Sequence, residues 1–272
     1  MRERERISSR DNRRLSNARA VRDGRVKAHI FIEGKRLAEE ALRSGLGIDE
    51  CFLVEGFSDG ELGNRVARHA DHVFELPPKL FHSIADTERS QGIVLIAARP
   101  DSSRKRIDSK VGASSLPIVI ILKEINNPAN LGAILRTAEA AGVAGVVVSK
   151  NSADVFSAKA LRSAMGASFR LAIWDGVNVA EAFDWGKSHG LRVTAADTSA
   201  AKSYLETDWT IPRILVFGSE AHGLNPDDLA RVDDRVTIPL ENNVDSLNLA
   251  VSAGTLLFEA KRQNESAIRI ED

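Results

Sequence analysis

The sequence predicts a two-domain α/β protein whose larger domain is a mostly parallel sheet covered by helices on both faces. Three observations predict it. From Leu116 onward, short apolar runs of strand length alternate with helical patterns, as in βαβ units. Ahead of Asp101 a shorter stretch alternates in the same way, and the polar, aperiodic stretch from Asp101 to Ser115 separates the two. At 272 residues the chain is long enough for two cores. The expected division is an N-terminal basic arm over 1–22, a small α/β domain over 23–100, a linker over 101–115, the large domain over 116–264 and a tail over 265–272.

Composition narrows the function classes. Lysine and arginine total 37 against 38 acids, so net charge gives no global sign of a polyanionic partner. The distribution is less even: ten basic residues between Arg2 and Lys27 face four acids. This start reads either as an arm laid against phosphates or as a solvated terminus. Cys51 is the only cysteine, which excludes an intramolecular disulfide and a cysteine metal cluster. His69 and His72 have a spacing that suits a metal on a helix, but no second ligand pair follows, so no metal is expected. Nothing approaches the roughly 18 consecutive apolar residues of a membrane span, and the start lacks an apolar signal-peptide core. Glu3, Glu5, Asp11 and Asp23 interrupt a start that a mitochondrial transit peptide would keep free of acids. A cytoplasmic protein is expected.

In the small domain, His29 to Ile32 is a short strand, turned by Glu33 and Gly34 into a helix with a stripe of Leu37, Ala38, Ala41 and Leu42. Cys51 to Val54 is extended, Leu62 to Ala70 helical and Val73 to Leu76 extended. Pro77 and Pro78 stop that strand before a turn at Phe81 to Ile84. Gln91 and Gly92 lead into a last strand, Ile93 to Ala97. In the linker, Arg104, Lys105 and Arg106 either meet a polyanion or are simply solvated.

In the large domain the expected strands are Ile118 to Lys123, Gly145 to Ser149, Phe169 to Trp174, Leu191 to Ala196, Ile214 to Phe217 and Val236 to Leu240. The main helices between and after them are Ser157 to Met165, Val179 to His189 and Ser246 to Arg262. The first strand hands over to a helix that starts near Asn130, a capping residue type, and ends at Gly142. Arg136 and Thr137 interrupt its small, apolar body. A buried or half-buried arginine needs an anionic or hydrogen-bonding partner: a carboxylate across a packed interface, or a ligand.

Two further blocks follow strands, where open α/β sheets bind ligands. Gly218 to Gly223 (Gly-Ser-Glu-Ala-His-Gly) reads as an ordinary turn or as a loop that lets peptide groups approach a ligand closely. It is neither a dinucleotide fingerprint nor a Walker A loop. Glu220 beside His222 offers acid/base chemistry, or a carboxylate that fixes neighbouring groups. Asp245 or Ser246 can cap the last helix, so the stretch reads either as a well-capped helix and nothing more or, with Asn248 in the first turn, as a ligand wall.

These three blocks, Asn126 to Gly142, Leu215 to Leu224 and Ile238 to Ala260, in this order resemble the signature motifs of the SpoU (TrmH) family of RNA ribose 2′-O-methyltransferases. Phe31 to Gly34 and Gln91 to Ile93 are similar to landmarks of the ribosomal-protein-like RNA-binding domain that precedes the catalytic domain in many members. The resemblance implies a SPOUT fold, a parallel sheet whose C-terminal segment is threaded into a trefoil knot, and a homodimer that binds S-adenosylmethionine. It assigns Asn130, Arg136, Glu220, Ser246 and Asn248 to catalysis, with Arg136 orienting the substrate or acting as base across the dimer interface. Gly218, Ile238, Leu240 and Leu247 are assigned to the cofactor. Leu240 to Asn243 departs from the glycine-containing loop often found there, which bears on the cofactor rim. Ribosomal RNA is favoured as substrate over tRNA, antibiotic-resistance methylation of ribosomal RNA stays open, and the alternative class is a non-catalytic RNA-binding protein on the same fold.

Overall fold

The computed structural model describes residues 4–114 and 116–271. It divides into two compact units: the chain up to Pro100 together with Phe156–Arg170, and Asp101–Val155 together with the chain from Leu171 onward. No described helix is long and apolar enough to cross a membrane.

The first unit is built on a five-stranded sheet. Its elements are β1 (Glu5–Arg6), α1 (Arg13–Arg22), β2 (His29–Glu33), α2 (Lys35–Arg43), β3 (Ile48–Val54), α3 (Gly60–His69), β4 (Ala70–Leu76), α4 (Pro78–Ile84) and β5 (Ile93–Ala98). Strand order is β1-β4-β3-β5-β2, with β5 antiparallel to both neighbours. The basic start is not a free arm. Asn12 caps α1 by accepting from Arg14 N at 2.8 Å, and Leu15, Ala18 and Val21 of α1 join Ile7 in the core. Its cations are used locally: Arg14 meets buried Glu50 at 2.6 Å, and Arg22 donates to three carbonyls at the end of α4. An i, i+3, i+6 apolar spacing hidden among arginines explains why charge alone misread this helix. Phe81 to Ile84, expected as a turn, completes α4, which Pro78 opens at a position where its missing N–H costs nothing.

The second unit begins inside the expected linker. Helix α5 (Arg104–Asp108) buries Ile107 completely, and Asp175 N donates to Ser102 O at 3.0 Å. Then follow β6 (Leu116–Leu122), α6 (Pro128–Ala141) and β7 (Val143–Ser149). Helices α7 (Ala158–Ala164) and α8 (Ala167–Arg170) lie in the stretch that returns to the first unit, where Arg162 meets Asp86 and Arg170 meets Glu40, both at 2.6 Å. The chain continues through β8 (Ile173–Val177), α9 (Val179–Ser188), β9 (Arg192–Ala196), β10 (Arg213–Phe217), α10 (Pro226–Leu229), β11 (Asp234–Val236) and α11 (Leu249–Glu271). Phe169 and Arg170, expected in a strand, belong instead to α8, and the strand starts at Ile173. An apolar run of this length fits a buried helical turn as well as a strand. The last strand stops at Val236, before Pro239, which has no N–H for a ladder. Helix α11 runs on through the expected tail.

All six strands of the second sheet are parallel, in the order β11-β9-β10-β6-β7-β8. Pleating sends Val119, Ile121, Val193, Ile214 and Val216 to a core under α9 with Phe183 and Trp185. The opposite residues, such as Ile118 and Ile120, are equally buried, as are Leu131 and Leu135 of α6 and Leu256 and Leu257 of α11. The sheet is therefore covered on both faces, which explains its unbroken apolar strands. Strand order reverses beside β6, so the carboxyl ends of β9, β10 and β11 open a crevice of the kind that binds ligands.

Candidate active site

That crevice holds a cleft of about 660 Å³. Its floor is the loop after β10. Ser219 N donates to Gly223 O at 3.1 Å and Gly223 N returns to Ser219 O at 2.9 Å, so the chain doubles back on itself. A Cβ on Gly218 would lie 2.2 Å from the carbonyl carbon of Gly223, so only glycine permits this turn. Ile238, Leu240 and Leu247 supply apolar wall, and Glu220, Ser246 and Asn248 line the same space. Seven of the nine predicted site residues thus meet in one cleft.

Asn130 joins them through side chains. Its Nδ2 donates to Glu220 Oε1, and its Oδ1 accepts from Asn248 Nδ2 at 3.3 Å. One hydrogen-bonded chain therefore ties together all three sequence blocks. It depends on where the helices start. Asn127, not Asn130, caps α6, accepting from Ala129 N at 2.9 Å with Pro128 in the first helical position. Asn130, one turn along, is thereby released from capping and bonds its side-chain amide to Glu220 and Asn248. The end at Gly142 is as expected, with the left-handed φ of 85° that a glycine cap adopts. For the last helix the cap is Asn248 rather than Asp245 or Ser246: its Oδ1 accepts from Ala250 N at 2.9 Å while its amide faces Asn130. His222 is exposed and has no side-chain hydrogen bond or ion pair with Glu220 among the described residues.

Arg136 stands apart. It is exposed on α6, six residues and about 9 Å of helix rise beyond Asn130, and on a different side of the helix. Among the described residues it has neither an ion-pair nor a hydrogen-bond partner. The expectation of a buried or half-buried arginine is therefore corrected: this cation is unpaired because it faces outward.

The sequence reading missed the wall formed by Asp197, Thr198 and Ser199 after β9. A polar run directly after a strand was the available signal. Asp197 accepts from Ser199 N and Oγ at 2.8 Å and from Arg235 Nε at 2.8 Å. Burial pushes this carboxyl up, but those hydrogen bonds and the Arg235 charge outweigh it and hold the group below its ordinary value. At the rim, Asn242 and Asn243 adopt φ of 58° and 55°. Asparagine tolerates this left-handed region better than other side chains, so it replaces the glycine expected there.

The walls fit S-adenosylmethionine chemically. Aliphatic side chains suit an adenine, the peptide groups of the doubled-back loop suit its ring edge, and Asp197 and Ser199 supply polar partners for hydroxyl or ammonium groups.

Comparison with known proteins agrees with this geometry. The model of the SpoU rRNA Methylase family matches residues 117–258, and that of the MRM3-like substrate binding domain matches residues 13–95. The mitochondrial rRNA methyltransferase 3 of Mus musculus is 30% identical, over 96% of this chain and 74% of the relative. An AdoMet-bound rRNA methyltransferase from Sinorhizobium meliloti superposes with a TM-score of 0.83 at 27% identity, covering 95% of this chain and 97% of that one. An RNA 2′-O ribose methyltransferase gives 0.79 at 29% identity over 96% and 99%. The parallel sheet is thus that of the SpoU methyltransferases, a fold that carries a C-terminal trefoil knot. The chain belongs to the SpoU rRNA methylase family.

Proposed function

We propose that the protein transfers a methyl group from S-adenosylmethionine to a ribose 2′-hydroxyl of RNA, ribosomal RNA before tRNA, and does so as a homodimer. The observation that carries this reading is the chain Glu220–Asn130–Asn248, which joins the three sequence blocks at the edge of the cofactor-sized cleft. The similarity to an RNA 2′-O ribose methyltransferase supports the ribose, and the relatives named as rRNA methyltransferases, with the substrate-binding match over 13–95, support ribosomal RNA.

When bound, S-adenosylmethionine supplies an electrophilic methyl group. The chain's own residues hold and orient. Gly218, Ile238, Leu240 and Leu247 form the cofactor wall, and Glu220 keeps the Asn130 amide pointed at the cleft edge. Ser246 and Asn248 bound the side from which the hydroxyl enters. Positioning alone is worth up to roughly 7–11 kcal/mol in favourable reactions. Arg136 orients the hydroxyl and a neighbouring phosphate; an arginine stays protonated unless strongly perturbed, so orientation precedes any role as base. Its outward position supports action on the partner subunit's cleft. Exposed Val251 and Phe258 on α11, which packs against α6, give such a dimer an apolar contact surface. A 2′-hydroxyl target also explains a preference for RNA over DNA.

The test is methyl transfer from labelled S-adenosylmethionine to total ribosomal RNA and, separately, to total tRNA, followed by nucleoside analysis. A 2′-O-methylnucleoside in the ribosomal pool alone is expected. Its appearance only in tRNA would reverse the substrate preference. Absence of both transfer and cofactor binding would favour a non-catalytic RNA-binding protein.

A further inference from the structure

In the first unit, hydrogen bonds join the landmarks Phe31 to Gly34 and Gln91 to Ile93, and a second cavity, of about 580 Å³, is lined by Gln91, Gly92 and Lys35, the residue after Gly34. Gly34 N donates to Ile93 O at 3.1 Å, and Lys35 N donates to Gln91 Oε1 at 2.7 Å. A backbone N–H can only donate, so this contact fixes which way the Gln91 amide points. Its oxygen is occupied and its Nε2 remains as a donor on an exposed side chain that lines the cavity. The loop leading to Gln91 is held in turn by Glu33. That carboxylate, 6% exposed, accepts from Asp86 N at 2.9 Å, Thr87 N at 3.2 Å and Thr87 Oγ1 at 2.7 Å.

The facing wall is Phe57, half-buried, with the Lys35 ammonium 5.4 Å from its ring centroid, 3.3 Å from Ser58 Oγ and 3.6 Å from the Asp59 carboxylate, which a phosphate would have to displace or share. Such a cation over a ring marks a face that also accepts a flat aromatic group. Exposed His82 lines the same space. Three more cations, Arg36, Lys79 and Arg89, each adjoin a lining residue in sequence; all are exposed and lack ion-pair partners among the described residues. An aromatic face, an oriented amide donor and surplus positive charge at the edge match a heterocycle that carries phosphate. The charge extends past what one phosphate would meet, which favours a strand over a free nucleotide.

We infer that this cavity takes one unstacked nucleotide of the RNA substrate. Its base lies against Phe57 with a ring nitrogen or carbonyl accepting from Gln91 Nε2, and its phosphate meets Lys35 and the flanking cations. The inference rests on the reading of RNA as substrate. It adds that part of the recognition is of single-stranded RNA, at a site other than the methyl-transfer cleft.

The experiment is a fluorescence titration of the full chain with a short single-stranded RNA carrying a central 2-aminopurine, and with the same strand annealed into a duplex. Quenching on binding the single strand is expected, with little on the duplex. Lys35→Gln, at a half-buried side chain, and Gln91→Ala, at an exposed one that also accepts from Lys35 N, should each weaken single-strand binding roughly tenfold, the order of one lost base contact. Phe57→Leu should do the same and abolish the quenching. S-adenosylmethionine affinity and the melting temperature serve as folding controls for all three. Unchanged RNA affinity in Lys35→Gln and Gln91→Ala would overturn the inference. So would binding of adenosine monophosphate that these variants lose while RNA binding persists, since the cavity would then serve a free nucleotide. The methyl-transfer assay is separate: a protein that transfers no methyl group yet shows the variant-sensitive quenching would sink the proposed reaction and leave this site standing.

Discussion

Arg136 is an exposed cation with no ion-pair or hydrogen-bond partner among the described residues. Removing it should therefore leave folding nearly untouched, within about 0.5 kcal/mol as for most surface substitutions. Arg136→Ala is expected to abolish methyl transfer while thermal unfolding and S-adenosylmethionine titration stay close to wild type; retained turnover would take the residue out of the reaction. Cys51 is the opposite case, fully buried in β3, where burial pushes its thiol up to about 12. A thiol reacts as thiolate. Iodoacetamide at mildly alkaline pH should leave native protein unlabelled and modify it only after denaturation, as read by intact mass.

Helix starts decide which asparagine is structural and which is chemical. Asn127→Ala removes the α6 cap and should cost about 1 kcal/mol of stability, measured by denaturant unfolding. Asn130→Ala breaks the link between Glu220 and Asn248 and should lower methyl transfer at least tenfold with a smaller change in unfolding. Equal effects on stability from both would contradict the assignment. Much of this was legible in the sequence. The strand and helix order and the parallel sheet followed from the alternation of apolar runs, strand-end positions put the three blocks where such sheets bind ligands, and the family resemblance assigned Gly218, Glu220, Ile238 and Asn248 to the site. The register of the caps did not. Three asparagines crowd the start of α6, and only Pro128, favoured in a first helical position, distinguishes Asn127. Before α11, Asp245, Ser246 and Asn248 are all capping types, and local chemistry does not rank them. Helix α1 was hidden because its buried Leu15, Ala18 and Val21 are outnumbered by arginines that find partners only in the folded unit.

At the scale of the whole molecule, the least legible feature is the return of Phe156–Arg170 to the first unit. No local pattern encodes it, because its partners Asp86 and Glu40 lie far away in sequence. Within that unit, Gly166 sits so close to Glu40 that a Cβ would approach its side chain to 2.7 Å, and Phe156 lies under the Arg99 guanidinium at 4.6 Å. A fragment ending at Pro100 lacks these contacts. It should melt well below the corresponding transition of the full chain, as measured by calorimetry, and adding a peptide of residues 156–170 should raise its melting point. The same return sets an order for synthesis. While the ribosome is still making β6 and β7, the first two strands of the other unit's sheet, the N-terminal unit waits incomplete, open at the place where α7 and α8 will dock. Nascent chains arrested before residue 156 should remain cleavable by protease at that site, and resistance should appear only once residue 170 has cleared the exit tunnel.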